Sequence, residues 1–136
     1  MAATLKLEIV TPDSRTYSEE VEMVTLPAVE GEMGIYPMHV PLMTQVVAGE
    51  VAVRKNGQDY FLAIGEGFVE ITGDRVAILT DMAIRAENID EAKAEEARRR
   101  AEARLTEHID DAEAAMVSAA LAHSLAQLQV KRRRHH

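Results

Sequence analysis

The chain has no cysteine and no tryptophan, and its aromatics amount to three Tyr and two Phe among 136 residues. Without cysteine there is no disulfide framework, no thiolate nucleophile and no zinc-finger spacing. So few rings leave an aliphatic core and little surface for stacking bases or sugars. No apolar run approaches the ~20 residues of a membrane-spanning helix. The opening MAATLKLEIV lacks a basic stretch followed by an apolar block, so it does not read as a secretory leader. Any membrane connection is expected to come through a partner. There is no glycine-rich phosphate loop, no Walker pattern and no His-x-x-x-His pair. His39, His108 and His123 are scattered, and His123, between Ala122 and Ser124, reads as a packed structural residue. No catalytic site, metal site or cofactor is expected.

Charge is the next constraint. The net charge is −8. Residues 1–86 carry 6 Lys/Arg against 13 Asp/Glu, and residues 87–136 carry 9 against 10. An acidic first part argues against a nucleic-acid platform, because phosphate must be met by a basic face. Glu19, Glu20 and Glu22 are expected to be solvated along a strand edge. Cations cluster at Arg98, Arg99 and Arg100 and again at Lys131, Arg132, Arg133 and Arg134. The first cluster suits a solvated helix face and the second a helix C-terminus, where the dipole favours positive charge. Both also suit docking on an acidic protein surface. His135 and His136 are compatible with a tag remnant and carry no argument.

Up to about residue 86 the apolar period is two. Leu5, Leu7 and Ile9 alternate with Lys6 and Glu8, and Val21 and Met23 alternate with Glu20 and Glu22. Asn56-Gly57 between two apolar runs is a strong hairpin signal. Phe68–Ile71 and Val76–Leu79 flank a second turn at Thr72-Gly73-Asp74, and Gly65-Glu66-Gly67 is expected to bend one strand at a corner. Short antiparallel strands with such regular turns predict a β-sandwich or flattened barrel over residues 1–86.

From Asn88 the period changes, and neither Gly nor Pro occurs from there to the end. Asn88 with Glu91, and Asp110 with Glu113, fit capping boxes. They predict two antiparallel helices, about 89–106 and 112–133, in a second domain over residues 87–136. Ala112, Ala115, Ala119, Ala122 and Ala126 form an alanine seam, matched by Ala94, Ala97 and Ala101. At ~0.8 kcal/mol per buried CH₂, such a seam gains far less than a leucine seam. A second stripe, Val117, Leu121, Leu125 and Leu128, needs a cover, either the β-domain or a partner. A hairpin held this way is expected to be marginal alone and able to open.

Val29–Thr44 is the densest motif. Gly31 and Gly34 permit unusual backbone angles, while Pro37 and Pro41 fix φ. An ordered loop exposing Glu30, Glu32 and His39 is expected, and such loops on rigid scaffolds are where interactions concentrate. The order Gly-Glu-x-Gly-Ile-x-Pro-x-His-x-Pro-Leu closely resembles the epsilon subunits of bacterial F-type ATP synthases. Ile9-Val10-Thr11-Pro12, Leu26-Pro27, Gly65–Glu70, Ile78–Ala83 and Ile89-Asp90 resemble that family in the same order. Met38 departs from it, standing where the family loop commonly has Gly.

The resemblance implies a non-catalytic rotor subunit of a proton-translocating enzyme. The β-sandwich would bind the gamma subunit and sit on the membrane c-ring, with Glu30, Gly31, Glu32 and His39 as contact residues. The helical hairpin would be a regulatory arm. When extended, it would bring Arg98–Arg100 and Lys131–Arg133 to the alpha/beta catalytic head and inhibit ATP hydrolysis. The implied location is the cytoplasmic face of a bacterial inner membrane. Two alternatives are a nucleotide-sensing sandwich with a helical clip, and a generic adaptor. Part of the family binds ATP through Ile-Asp-x-x-Arg-Ala, matched here by Ile89, Asp90, Lys93 and Ala94 with Lys in place of Arg. Lysine lacks the rigid guanidinium fork, so weak or absent ATP binding is expected. An Asp90–Lys93 surface pair is the simpler use of those two residues.

Overall fold

A computed structural model describes residues 3–133. Arg134, His135 and His136, where part of the cationic tail and the tag reading fall, lie outside the described residues. Ten strands are followed by two helices: β1 Leu5–Val10, β2 Arg15–Val21, β3 Met23–Ala28, β4 Gly31–Ile35, β5 His39–Val46, β6 Gly49–Lys55, β7 Gln58–Ile64, β8 Gly67–Gly73, β9 Arg75–Thr80 and β10 Ala83–Arg85. A 3₁₀ turn, Ala86–Asn88, leads into α1 Glu91–Leu105 and α2 Asp111–Arg133.

The strands form one curled sheet in the order β10-β7-β6-β3-β5-β8-β9-β1-β2, with β4 paired to β3. Pairing is antiparallel except between β1 and β9, which run parallel from Lys6↔Arg75 to Val10↔Leu79. Period-two alternation sends one side of each strand inward. Leu7, Ile9, Val24, Leu26, Ile35, Val53, Ile64 and Ile78 are fully buried in one aliphatic core. Each contributes on the order of 1.5–3 kcal/mol by leaving water, and together they compensate for the scarcity of rings.

The Asn56-Gly57 turn forms as expected, with both residues at positive φ (54° and 76°) between β6 and β7. The Gly65–Gly67 segment does not bend a single strand. It ends β7, which pairs with β6 and β10, and starts β8, which pairs with β5 and β9. Gly67 is required there: a Cβ would stand 1.9 Å from the backbone oxygen of Leu79.

The Val29–Thr44 stretch is mostly strand rather than loop. A tight turn at Val29-Glu30 joins β3 to β4 along the register Val24↔Ile35 to Ala28↔Gly31. The backbone bonds Val29 N–H to Gln45 O (3.1 Å) and Val47 N–H to Pro27 O (2.8 Å) hold its base. The glycines and prolines that suggested an ordered loop instead sit within or beside these short strands.

The helices begin and end close to the expected positions, but the first cap differs. Asp90, not Asn88, is the N-cap of α1, and its Oδ1 accepts the Lys93 backbone N–H at 3.1 Å. Asn88 is taken up in the 3₁₀ turn. Asp110 caps α2 as expected, accepting the Glu113 backbone N–H at 2.8 Å.

Candidate partner-binding surfaces

The contact residues read from the sequence fall at two ends of the β-domain. Glu30, Gly31 and Glu32 lie at the β3–β4 turn, beside Val46 through the Ala28↔Val46 pairing. His39 pairs with Gly73 at the opposite end of β5, about 20 Å away at the usual rise per strand residue. Glu30, Gly31 and Glu32 are exposed; His39 is half-buried, with Nδ1 2.6 Å from the Val40 oxygen. Glu30–Glu32 and His39 therefore cannot form one small contact.

Next to His39, Met38 holds φ = +66°, a region costly for residues with a Cβ. Its N–H donates to Asp74 Oδ1 at 3.2 Å, and its side chain is 82% exposed. Tyr36 and Val40 flank it, also exposed.

A surface the sequence reading did not single out lies on the outer side of β5, β8 and β9. Phe68 pairs with Gln45 on one side and Leu79 on the other, and Met43 lies diagonally adjacent, opposite Glu70. Met43, Phe68 and Leu79 are each more than half exposed, at 65%, 53% and 54%. Three large apolar side chains face outward together on ordered strands, which makes this a candidate interaction face. The signal was present in Phe68-Val69-Glu70-Ile71: alternation sends Val69 and Ile71 inward, which leaves Phe68 facing out.

Nearby carboxylates do more than meet solvent. Glu8 is buried on the outer face between Arg15 (3.4 Å) and Arg75 (2.5 Å). Glu19 bridges Lys55 and Arg85, Glu22 accepts the Gly57 N–H at 2.9 Å, and Glu20 accepts from the Thr4 hydroxyl at 3.3 Å. The expectation of simple solvation is thus corrected for Glu19 and Glu22, which are half-buried, while Glu20 is exposed as expected. Arg85 also lies over the Tyr17 ring at 4.8 Å. Burial, reinforced by Glu19, pushes the Tyr17 phenol up to about 12.

The arm is folded down. α2 packs on β6 and β7, and α1 packs on α2. Ala126 and Val130 join Ala63, Ala86 and Ile89 in a second small core. Along α2 the alanine seam grows more buried towards the C-terminal end, with Ala112 and Ala115 exposed, Ala119 and Ala122 half-buried and Ala126 buried; on α1 Ala94 and Ala101 are buried and Ala97 half-buried. Of the second stripe only Leu128 is buried; Leu125 is 47% exposed. The cover supplied by the β-domain is therefore partial. Between the helices near their connection, Ala97, Ala101, Met116, Val117 and Ala120 line an apolar groove of about 620 Å³.

Most of the arm's cations are paired within the chain. Arg98 is held by Glu95 and Glu102, Arg99 lies 3.4 Å from Glu95 and Arg100 3.6 Å from Glu96. Arg132 reaches from α2 to Glu91 (3.1 Å) and Glu95 (2.8 Å) on α1. Arg98 first, then Arg132, holds the Glu95 carboxyl down at about 2. Arg104 joins Glu113 across the other end of the hairpin. Arg133 meets Glu50 on β6, and Lys131 Nζ lies 3.4 Å from the Ala86 oxygen.

The nucleotide candidates lie together at the start of α1. Ile89 and Ala94 are buried apolar residues, and Asp90 spends Oδ1 on the cap. The Asp90–Lys93 pair exists through the Lys93 backbone N–H and not through its ammonium group. Among the described residues there is no group of three metal-ligating side chains, and no helix long and apolar enough to cross a membrane.

Two family models match successive parts of the chain. Residues 4–86 match the family described as ATP synthase, Delta/Epsilon chain, beta-sandwich domain. Residues 87–132 match its long alpha-helix domain. An ATP synthase epsilon chain of Dehalococcoides mccartyi is 45% identical over 136 residues, covering 98% of this chain and 97% of the relative. One from Halorhodospira halophila is 40% identical over 129 residues, covering 93% and 92%. Among solved structures, a chain of the Euglena gracilis mitochondrial ATP synthase (OSCP/F1/c-ring, rotational state 1) superimposes with a TM-score of 0.77 at 26% identity, covering 98% of this chain and 82% of that one.

Proposed function

The chain belongs to the ATP synthase delta/epsilon family, and from that premise we propose that it is an epsilon subunit of the central stalk. It is a non-catalytic part of the complex, reaching the membrane only through partners. Residues 1–86 act as the rotor-binding domain and residues 87–136 as a regulatory arm. The β-domain joins the gamma subunit to the c-ring on the cytoplasmic face of a bacterial inner membrane. The observation that carries this reading is the outward apolar cluster Met43, Phe68 and Leu79 on a rigid sheet, which suits a permanent subunit contact. The acidic β3–β4 turn with Glu30, Gly31 and Glu32 is a second, polar contact, and His39 belongs with Met38 at the other end. Gamma and the polar loops of the c-ring are the partners these surfaces serve.

In the arm, a small apolar interface and exchangeable ion pairs support two states. In the extended state Arg98–Arg100, Arg132 and Arg133 leave their internal carboxylates, and Lys131 its backbone carbonyl, for acidic segments of the alpha/beta head, and hydrolysis is inhibited. Single cysteines at Phe68, Glu32 and His39 in the assembled enzyme test the contacts: cross-linking of each to gamma or a c-subunit is expected. Free reaction of all three with bulky soluble maleimides would overturn the rotor assignment. Omitting residues 87–136 is expected to raise hydrolysis while coupled synthesis persists. ATP titrated into the full chain in a calorimeter is expected to bind no tighter than the millimolar range. Micromolar affinity would favour the nucleotide-sensing alternative.

A further inference from the structure

We propose that Glu50 on β6 is a buried charge switch for the arm, tolerated beneath α2 only because Arg133 in the last turn of that helix covers it. The inference rests on the two-state reading of the arm. The Glu50 side chain is 7% exposed, whereas Arg133 is 59% exposed. One carboxylate oxygen meets the Arg133 guanidinium; the other, Oε2, is buried with no hydrogen-bond partner. Arg133 also lies over the Phe61 ring, 5.8 Å from its centroid, which fixes the guanidinium above β6 and β7.

The pair borders a cavity of about 230 Å³ between the end of α2 and the β3–β4 turn. The charged groups facing Glu50 are Arg133 from α2 and Glu32 from β4. The neighbouring β3 contributes only Pro27 and Ala28 to the cavity, α2 adds the neutral Gln129, and Ala63 is the β7 partner in register. One cation therefore stands against two carboxylates.

A carboxylate enclosed in this way is ionised at a cost that a single, largely exposed arginine offsets in part. Burial raises the Glu50 carboxyl above its ordinary value of 4.5, Arg133 lowers it and Glu32 raises it, with a net upward shift. The arm-down state therefore holds a proton on Glu50 more tightly than an arm-open state, where the same side chain meets water. Raising the pH from 4.5 through that elevated value favours opening, by at most tenfold in the open-to-closed ratio per pH unit, and lowering it favours the folded arm. The cost is borne by the carboxylate, so removing the two partners has opposite effects. Loss of Arg133 leaves an uncompensated buried anion. Loss of the Glu50 charge relieves the site.

The chain has no native cysteine, so nitroxides can be placed at Asp13→Cys and Ala112→Cys in the otherwise unaltered full-length protein. Pulsed electron resonance then reads the arm-to-domain distance between pH 5 and 8.5. The open fraction is expected to grow with pH and level off, and Glu50→Gln should flatten that response with the arm down. Arg133→Ala should raise the open-to-closed ratio at pH 7 about tenfold or more, and Glu50→Gln added to it should reverse most of that rise. With His123→Gln also in place, which removes the ionisable contact from α2 to Asp81, a pH response that survives Glu50→Gln would overturn the proposal, as would equal opening in the single and double variants; the two-state arm would stand in either case. A single unchanging distance in every variant would instead sink the two-state arm itself, and this proposal with it.

Discussion

His123 on α2 and Asp81 in the β9–β10 turn meet with Nε2 3.0 Å from Oδ1, directly above the backbone of Gly65. The contact is close enough for charge pairing when the imidazole is protonated, though His123 Nε2 is not aligned as a hydrogen-bond donor. Thr80 secures the platform beneath, its hydroxyl within donating distance of both Glu66 O (3.1 Å) and Met82 O (3.2 Å). The sequence reading of His123 as a structural residue gains a definite partner here, and the glycine explains why the two can meet.

Gly65→Ala and Gly67→Ala are expected to differ sharply. A Cβ at Gly65 would stand 1.9 Å from Asp81 Oδ1 and 2.8 Å from His123 Nε2, both ends of movable side chains. The β-domain should keep its stability while α2 loosens, seen as faster amide exchange confined to residues 111–133. At Gly67 the obstacle is the β9 backbone, so a loss of about 2–3 kcal/mol in global unfolding is expected. Equal denaturation midpoints for the two variants would refute this.

Met38→Gly should stabilise the chain. An L side chain in the left-handed region costs about 1–2 kcal/mol, and glycine returns about 0.5–1 kcal/mol of that through unfolded-state entropy. Because Met38 is 82% exposed, little packing is lost. A gain of about 0.5–1 kcal/mol is expected in urea unfolding, and a loss would show that the methionine makes a contact of its own.

Phe68→Ser combined with Leu79→Ser should leave the fold intact, as both side chains already stand half in water. Binding to purified gamma is expected to weaken by tenfold or more, since exposed apolar clusters supply the centre of such contacts. Unchanged affinity would move the gamma-binding face elsewhere on the domain.

Alkaline pH should act through Tyr17. Its phenol is raised in the folded chain from 10 to about 12, so the folded state holds the proton more tightly. Stability is therefore fully present below pH 10 and is lost between pH 10 and 12, by up to about 2–3 kcal/mol. Tyr17→Phe should shallow that decline in pH-dependent denaturation curves; an identical slope would count against the buried phenol as its source.

Local pattern was enough for the architecture. Period-two alternation, the Asn56-Gly57 turn and the switch to a Gly- and Pro-free helical stretch at Asn88 specify strands followed by two helices, because each signal depends on residues only a few positions apart. The cap at Asp110 was legible for the same reason. The cap of α1 was not, because Asn88 and Asp90 each offer a capping side chain there. Only the 3₁₀ turn, which consumes Asn88, settles the choice. The Val29–Thr44 stretch misled because its glycines and prolines resemble a loop locally, whereas pairing with β3 and β8 makes it strand. What the tertiary structure alone decided are the meetings across long separations. It set Phe68 beside Gln45 by laying β8 against β5, and brought Arg133 to Glu50, 83 residues apart. No period in the chain encodes these contacts, because they follow from how the sheet curls and where α2 comes to rest on it.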